Sequence, residues 1–454
     1  MTFTSGEPGH ARAGDDPVAG TRRFPGRSDM PWVALTAFAV IGAALGYLAK
    51  APCRFGGAWL YGGQYEYACY SDVFPLYYRD GLDEGVVPYL DREIEYPVLT
   101  GGLMHLLGRA VAWLPGQTER AYAYFDATAL VMAGCMAAVV LCTGYLAGRG
   151  SLLPGPVERP FDRRAALLAG GFTALVPAAM LAAYINWDLL AVALLMGGLT
   201  AYARGRQWAG GALIGLATAA KFYPFLVFGP LFVLVVRAWW RKEPGPAVGD
   251  LLRPLGGAVA AWAAVNVPVL LAAPDGWATF FRFSSERGAD WGSAYYLLGS
   301  FGLFDSADTE LVNTTGTLSL VAACALVAAL GVFARRRPPL EQLVFLVVAA
   351  FLVTNKVWSP QFVLWLLPLA ALAWPRRLPA WTGVAAFGLW QIAEVGYFFG
   401  IWQHLLHHSL AAEGVAGGLP IEGYAVVSVA RSLTVVTVGA LVVVDNLRGG
   451  ESTT

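Results

Sequence analysis

Long apolar runs alternate with short polar, Gly- and Pro-rich stretches along almost the whole chain. A run must hold about 20 apolar residues to cross roughly 30 Å of hydrocarbon. Twelve segments approach that length, near 31–50, 122–147, 165–183, 189–203, 208–220, 222–239, 254–273, 316–334, 340–354, 361–374, 379–403 and 424–446. The pattern predicts an all-α polytopic membrane protein. Several runs are short. Trp208 to Ala220 stops at Lys221-Phe222-Tyr223-Pro224, Leu340 to Thr354 stops at Asn355-Lys356, and Gln361 to Trp374 starts just after Pro360. Non-helical backbone at membrane depth is tolerated only where it is buried in protein or lines a wet cavity. These breaks therefore predict a cavity opening on the outer side. No internal repeat stands out, which weighs against the repeat-built transporters.

Composition agrees with that reading: 57% of residues are hydrophobic, 14% are charged, and the mean hydropathy is +0.54. A soluble chain of this length needs more charge to cover its surface. The net charge is zero, so nothing points to nucleic acid. With the N-terminus placed inside, the inner loops carry Arg149, Arg159, Arg163 and Arg164, then Arg204 and Arg206, then Arg237, Arg241, Lys242 and Arg253. Further on they carry Arg335 to Arg337, Arg376, Arg377 and Arg448. Basic residues concentrate on the cytoplasmic side of membrane proteins, so both termini are expected there. The expected organisation is a disordered cytoplasmic tail over 1–30, one transmembrane domain over 31–446, and a short tail over 447–454. The tail has no apolar run, and the first apolar segment starts too late for a cleavable signal peptide.

Within that domain, residues 51–121 form a first outer loop and 274–315 a second. The first holds seven acids between Asp72 and Glu95 and is rich in Tyr, Trp and Pro, so it reads as a folded loop on the membrane surface. Cys53 and Cys69 share it and can pair if it faces an oxidising side. The aromatics after Pro274 predict an interfacial helix, and His404 to Gly423 reads as irregular. His407 and His408 sit there without the pattern of a metal site. Glu394 and Arg431 fall in late spans and suit each other as a structural pair.

Five short polar motifs converge on the outer face: Ser71-Asp72, Glu95-Tyr96-Pro97, Asn186-Trp187-Asp188, Lys221 to Pro224, and Asn355 to Gln361. A carboxylate at the half-buried position of Asp72 can serve as a general base toward a hydroxyl; alternatively it caps the next helical turn with Ser71. Lys221 and Lys356 border apolar helix ends, where a cation faces a cavity or a partner or snorkels to headgroups. As a pair they suit a phosphate. Asp188 opens a span, where the helix dipole alone favours an acid. Arg79, Arg282 and Arg287 suit either phosphate contacts or rim salt bridges. No nucleotide-binding, serine-hydrolase or diphosphate-metal motif stands out.

At these residues the chain resembles a known family. SDVFPLYYRDGLDEGVVPY followed by EYPVLTG, then NWDLLAVALLMGGLTAYARGRQWAGGALIGLATAAKFYP and NKVWSPQFVLWLLP, look like the polyprenol-phosphate-sugar-dependent glycosyltransferases of family 87. These are actinobacterial GT-C mannosyltransferases, and the resemblance runs from the first span to Pro368. It implies a GT-C fold of about 12 transmembrane helices, with short or re-entrant segments and interfacial helices in the first outer loop. It places the catalytic acid at Asp72 and the family's lysines at Lys221 and Lys356. Members use a histidine near the donor phosphate, yet no histidine lies between His105 and His404. Lys221, Lys356 and Arg282 are therefore the expected phosphate ligands. Glu95, Tyr96, Asn186, Asp188, Tyr223, Trp358 and Gln361 are the expected substrate-binding residues.

The implied reaction moves a hexose, mannose in the family, from a polyprenyl-phosphate donor to a lipid or glycan acceptor on the extracytoplasmic side. Asp72 acts as base and one displacement inverts the anomeric centre. No cofactor or metal is expected, because a single phosphate leaves. The partners are then the donor, the acceptor and membrane lipids. A transporter or flippase of lipid-linked sugars would use the same cavity and cations without a base. A non-catalytic partner of an envelope complex would need neither Asp72 nor the lysines.

Overall fold

A computed structural model describes residues 29–155, 157 and 159–448, together with Thr2. Most of the expected tail over 1–30, and all but Leu447 and Arg448 of the one over 447–454, lie outside the described residues. Among these, the chain is helical; its only β feature with described partners is an isolated bridge between Pro88 and Arg92. The first helices are α1 (Trp32–Leu48), α2 (Ala51–Arg54), α3 (Val73–Arg79), α4 (Val98–Val111), α5 (Gln117–Arg149), α6 (Arg163–Leu175) and α7 (Pro177–Ala182). Then come α8 (Asp188–Ala203), α9 (Gln207–Ala220), α10 (Phe228–Arg241), α11 (Val248–Ala272), α12 (Pro274–Glu286) and α13 (Ala294–Ser300). The chain closes with α14 (Thr309–Phe333), α15 (Leu340–Thr354), α16 (Val363–Leu372), α17 (Ala380–Ala412) and α18 (Ile421–Leu447).

Each of the twelve apolar runs falls on helix. Among the described residues six helical stretches are long and apolar enough to cross a membrane by length and composition: α5, Tyr223–Arg241, α11, α14, α17 and α18. The rest are shorter. The run over 165–183 is two helices, α6 and α7, because Val176 must stay extended (φ −73°, ψ 141°) before Pro177. Side chains start several helices. Asp162 accepts from the Ala165 N–H of α6 at 2.9 Å, and Asp308 accepts from the Leu311 N–H of α14 at 3.0 Å.

One expectation is corrected. The stretch from His404 was expected to be irregular, but α17 continues to Ala412, carrying His407 and His408, and only 413–420 lack helix. The polar residues there continue a helix whose apolar part ends earlier, so hydropathy underestimates its length.

Small residues set the closest helix contact. Gly211 and Gly215 stand four apart on α9 and face the backbone of α11 at Pro254 and Ala258, where an added Cβ would collide with carbonyl oxygens. Without a hydrophobic drive between helices in lipid, such close backbone packing holds them together. That contact fixes the C-terminal end of α9, which carries Lys221. Thr100 of α4 adds a hydrogen bond to the Ala220 carbonyl at 2.7 Å, tying the Glu95–Pro97 segment to the same place.

Candidate active site

The breaks between helices meet around a cavity of about 770 Å³. All five polar motifs reach it, through Asp72, Glu95 and Tyr96, Asn186, Lys221 and Tyr223, and Lys356 and Gln361. Phe280, Phe281 and Phe283 of α12 and Tyr397 to Leu405 of α17 contribute further wall. The chain thus gathers at one cavity residues separated by more than 300 positions.

Asp72 stands at the N-terminus of α3, but its side chain does not cap that helix. The Val73 N–H turns to the Ser71 hydroxyl at 3.3 Å instead. The cap read from sequence is not formed, and Asp72 lines the cavity. The Asp72 backbone N–H donates to the Ile185 carbonyl at 2.7 Å, and the Ser71 hydroxyl donates to the Tyr184 carbonyl at 2.7 Å. The turn is therefore pinned to the α7–α8 junction. The Tyr70 hydroxyl donates to Asp72 Oδ1 at 2.8 Å; Oδ2 has no hydrogen bond among the described residues. Burial pushes the Asp72 carboxyl up to about 6, against the opposing pull of the Tyr70 hydrogen bond and the Lys221 charge. Such a carboxylate is available for a proton near neutral pH.

Beneath the turn lies Lys50, fully buried, whose Nζ donates to the Tyr70 carbonyl at 2.8 Å. It was visible in sequence as the cation closing the first apolar run. Its contact with Tyr70 was not, because it arises only when the loop folds back. A disulfide joins Cys53 to Cys69, immediately before Tyr70.

Lys221 and Asp188 form an ion pair of 2.9 Å, with the Asp188 side chain 2% exposed and that of Lys221 20%. Asp188 also accepts from the Trp365 indole at 3.0 Å. The Lys221 ammonium lies within 6 Å of the ring centres of Tyr96, Phe362 and Trp365, a distance at which a ring face attracts a cation. Asn186 accepts from the Asp188 N–H at 2.9 Å and so starts α8.

Lys356 is different. Its ammonium donates to the Asn313 side chain and to the carbonyls of Ser285 and Arg287, and no carboxylate pairs with it among the described residues. Burial, then the Arg287 charge, lowers its pKa. Arg287 lines the cavity beside it and pairs with Asp290 at 2.8 Å. Lys356, Arg287 and Asp290 together carry one positive charge more than they neutralise. Arg282, expected as a phosphate ligand, is placed elsewhere. It binds Glu93 at 3.1 Å and does not line the cavity. Arg282 lies on α12 and Arg287 just past its end, where the backbone turns extended, and the sequence does not reveal which of the two faces inward.

Tyr223 stacks on Trp365 at 4.1 Å. Its hydroxyl and the Gln361 Oε1 are buried with no partner among the described residues, and both residues line the cavity. Buried polar atoms of this kind want a partner. Glu95 meets Arg79 at 3.0 Å. Trp358 does not line the cavity: it is buried behind the loop, its ring against Arg431. Among the described residues no three His, Cys, Asp or Glu side chains are grouped to hold a metal ion. His404 instead contacts the Tyr296 hydroxyl at 2.8 Å and the Leu419 carbonyl at 2.9 Å.

Two solved structures are similar over most of the chain. ArnT from Cupriavidus metallidurans, solved bound to undecaprenyl phosphate, is 16% identical with a TM-score of 0.45, covering 91% of this chain and 77% of that one. The oligosaccharyltransferase of Archaeoglobus fulgidus, tethered to an acceptor peptide containing the NVT sequon, is 15% identical with a TM-score of 0.34, covering 93% and 56%. No curated protein sequence matches the chain. The glycosyltransferase family 87 model matches residues 96–360, more than half the chain and a stretch that holds two of the five cavity motifs whole and two more except for Glu95 and Gln361 at its ends; the chain belongs to glycosyltransferase family 87, the family its motifs resemble.

Proposed function

We propose that this membrane glycosyltransferase moves a hexose, mannose by family analogy, from a polyprenyl-phosphate donor to a lipid or glycan acceptor on the extracytoplasmic side, with both termini cytoplasmic. The observation that carries this reading is the pairing of opposites across one cavity. Asp72 offers a carboxylate with a free oxygen, and Lys356 offers an ammonium without a carboxylate partner.

The acceptor hydroxyl gives its proton to Asp72 as its oxygen bonds to sugar C1. The bond from C1 to the phosphate oxygen breaks, and the electron pair leaves with the polyprenyl phosphate. Attack opposite the leaving group inverts C1. Charge develops on the departing phosphate, where preorganised cations lower the barrier most. Lys356 and Arg287 supply that charge, with Lys221 at the Asp72 end. The unpartnered Tyr223 hydroxyl and Gln361 amide, with Asn186, Tyr96 and Glu95, are suited to sugar hydroxyls. A single phosphate leaves between fixed cations, so the reaction as drawn needs no metal.

The test is sugar transfer from radiolabelled polyprenyl-phosphate mannose in membranes holding wild type or Asp72→Asn. A general base contributes about 10²–10⁴-fold, and a loss of that size in a folded variant is the expected result. Equal transfer by both removes Asp72 from the chemistry. No transfer by wild type, with labelled donor crossing the membrane, favours the flippase.

A further inference from the structure

Arg431 lies on α18, 73 residues from Trp358 in sequence, and is 1% exposed. A charge inside a membrane helix is costly and calls for a named partner. It has one in Glu394 of α17, at 3.0 Å, the pairing expected from sequence. Glu394 needs only one side of the guanidinium. The other two nitrogens donate to the Trp358 carbonyl at 2.8 Å and the Ser359 carbonyl at 3.1 Å. The plane is packed between the rings of Trp358 and Tyr397, at 4.4 and 4.0 Å.

The two carbonyls belong to the turn that leads from Lys356 to Gln361. Its other side is fastened to the second outer loop, where the Asp290 N–H donates to the Lys356 carbonyl at 2.8 Å. The turn is not helical: besides Arg431 the Trp358 carbonyl accepts only from the Tyr397 hydroxyl at 3.4 Å and the Ser359 carbonyl only from the Phe362 N–H at 3.1 Å among the described residues, so each has a second lone pair to fill. Arg431 meets that need from behind the cavity with a planar fork that holds two oxygens at once.

We propose that Arg431 is a positioning residue: from the last helix it fixes the Trp358–Ser359 turn, and through it the Lys356 ammonium and the Gln361 amide in the cavity. The inference rests on the reading of Lys356 as a donor-phosphate ligand.

Two variants test it. Arg431→Lys keeps a cation opposite Glu394 but cannot reach both carbonyls. Arg431→Met with Glu394→Met removes both charges together, a replacement that buried ion pairs often tolerate. Each is purified in detergent, and thermal unfolding, binding of a short-chain polyprenyl monophosphate and transfer kinetics are read separately. The expected result is a folded protein whose probe Kd and donor KM rise at least about tenfold, equal to about 1.4 kcal/mol, with kcat changing much less. The lysine variant should fall between wild type and the double variant. A residue serving only the fold would not separate KM from kcat.

Folded variants that bind the probe as wild type does would overturn the proposal. So would failure of both to fold, since a residue the whole fold needs has no separable positioning role. If wild type binds the probe but transfers no sugar, the glycosyl-transfer reading fails while the binding arm still decides the role of Arg431.

Discussion

The Tyr70 hydroxyl donates to Asp72 Oδ1 at 2.8 Å, so a phenol and a carboxylate two residues apart turn back on each other at the cavity wall. The carboxyl is pushed up to about 6 by burial, and the hydrogen bond works in the opposite direction because it favours the charged form. Transfer should therefore fall as pH drops through about 6, where Asp72 takes up a proton and ceases to be a base. Removing the hydroxyl with Tyr70→Phe removes a stabiliser of the carboxylate, so the pKa rises further. A hydrogen bond worth about 1 kcal/mol corresponds to roughly 0.7 pKa units. The acid limb of the pH–rate profile should shift upward by about that much, with the plateau nearly preserved. An unshifted or downward-shifted limb would mean that another group sets the profile.

The apolar pattern carried the helices of the twelve runs, including the short ones among them, because burial in lipid demands long apolar runs and punishes breaks; it did not mark α4, which lies within the first outer loop. It carried Asp72, Lys221 and Lys356 because a charge beside a helix break is conspicuous in so apolar a chain. It picked Arg282 as the phosphate ligand, whereas Arg287 lines the cavity; Arg287 sits just past the end of α12, where the backbone leaves the helix, and the pattern does not show which way it turns. It could not find the Lys50 contact with Tyr70 or the Arg431 contact with the Trp358 turn. Both are long-range hydrogen bonds to backbone carbonyls, and a carbonyl leaves no mark in the sequence. Trp358 was placed in the cavity by its motif, yet its ring turns toward Arg431.

The Cys53–Cys69 disulfide offers a test of sidedness. The three other cysteines, Cys135, Cys142 and Cys324, are free. Disulfides persist on oxidising sides of membranes, so the loop carrying Asp72 is expected to face outward. Alkylation of the denatured, unreduced protein should label three cysteines, and prior reduction should raise the count to five. Closing a loop of this length stabilises a fold by about 3 kcal/mol, so Cys53→Ser with Cys69→Ser should also unfold at lower temperature. Five labels without reduction would put the first loop in a reducing compartment and undo the outward placement of the site.

The two cavity lysines should fail in different ways, because their partners differ. Lys356 is held by neutral oxygens, so Lys356→Met removes a charge that balances no acid. The fold should survive. Donor binding should weaken by the worth of a charged hydrogen bond, about 1.5–3 kcal/mol, or roughly 10- to 150-fold in KM. Lys221→Met strands the Asp188 carboxylate, 2% exposed, with only the Trp365 indole to answer it. Removing one member of a buried pair costs about 3–5 kcal/mol, so this variant should unfold at a clearly lower temperature. Adding Asp188→Asn removes the stranded charge and should restore much of that stability without restoring a cation. Activity of the double variant then reports what the Lys221 charge does for the donor, free of its structural part. Equal stability of the two single lysine variants would show that the Asp188 pair does not anchor this wall, and that Lys221 is as free to meet phosphate as Lys356.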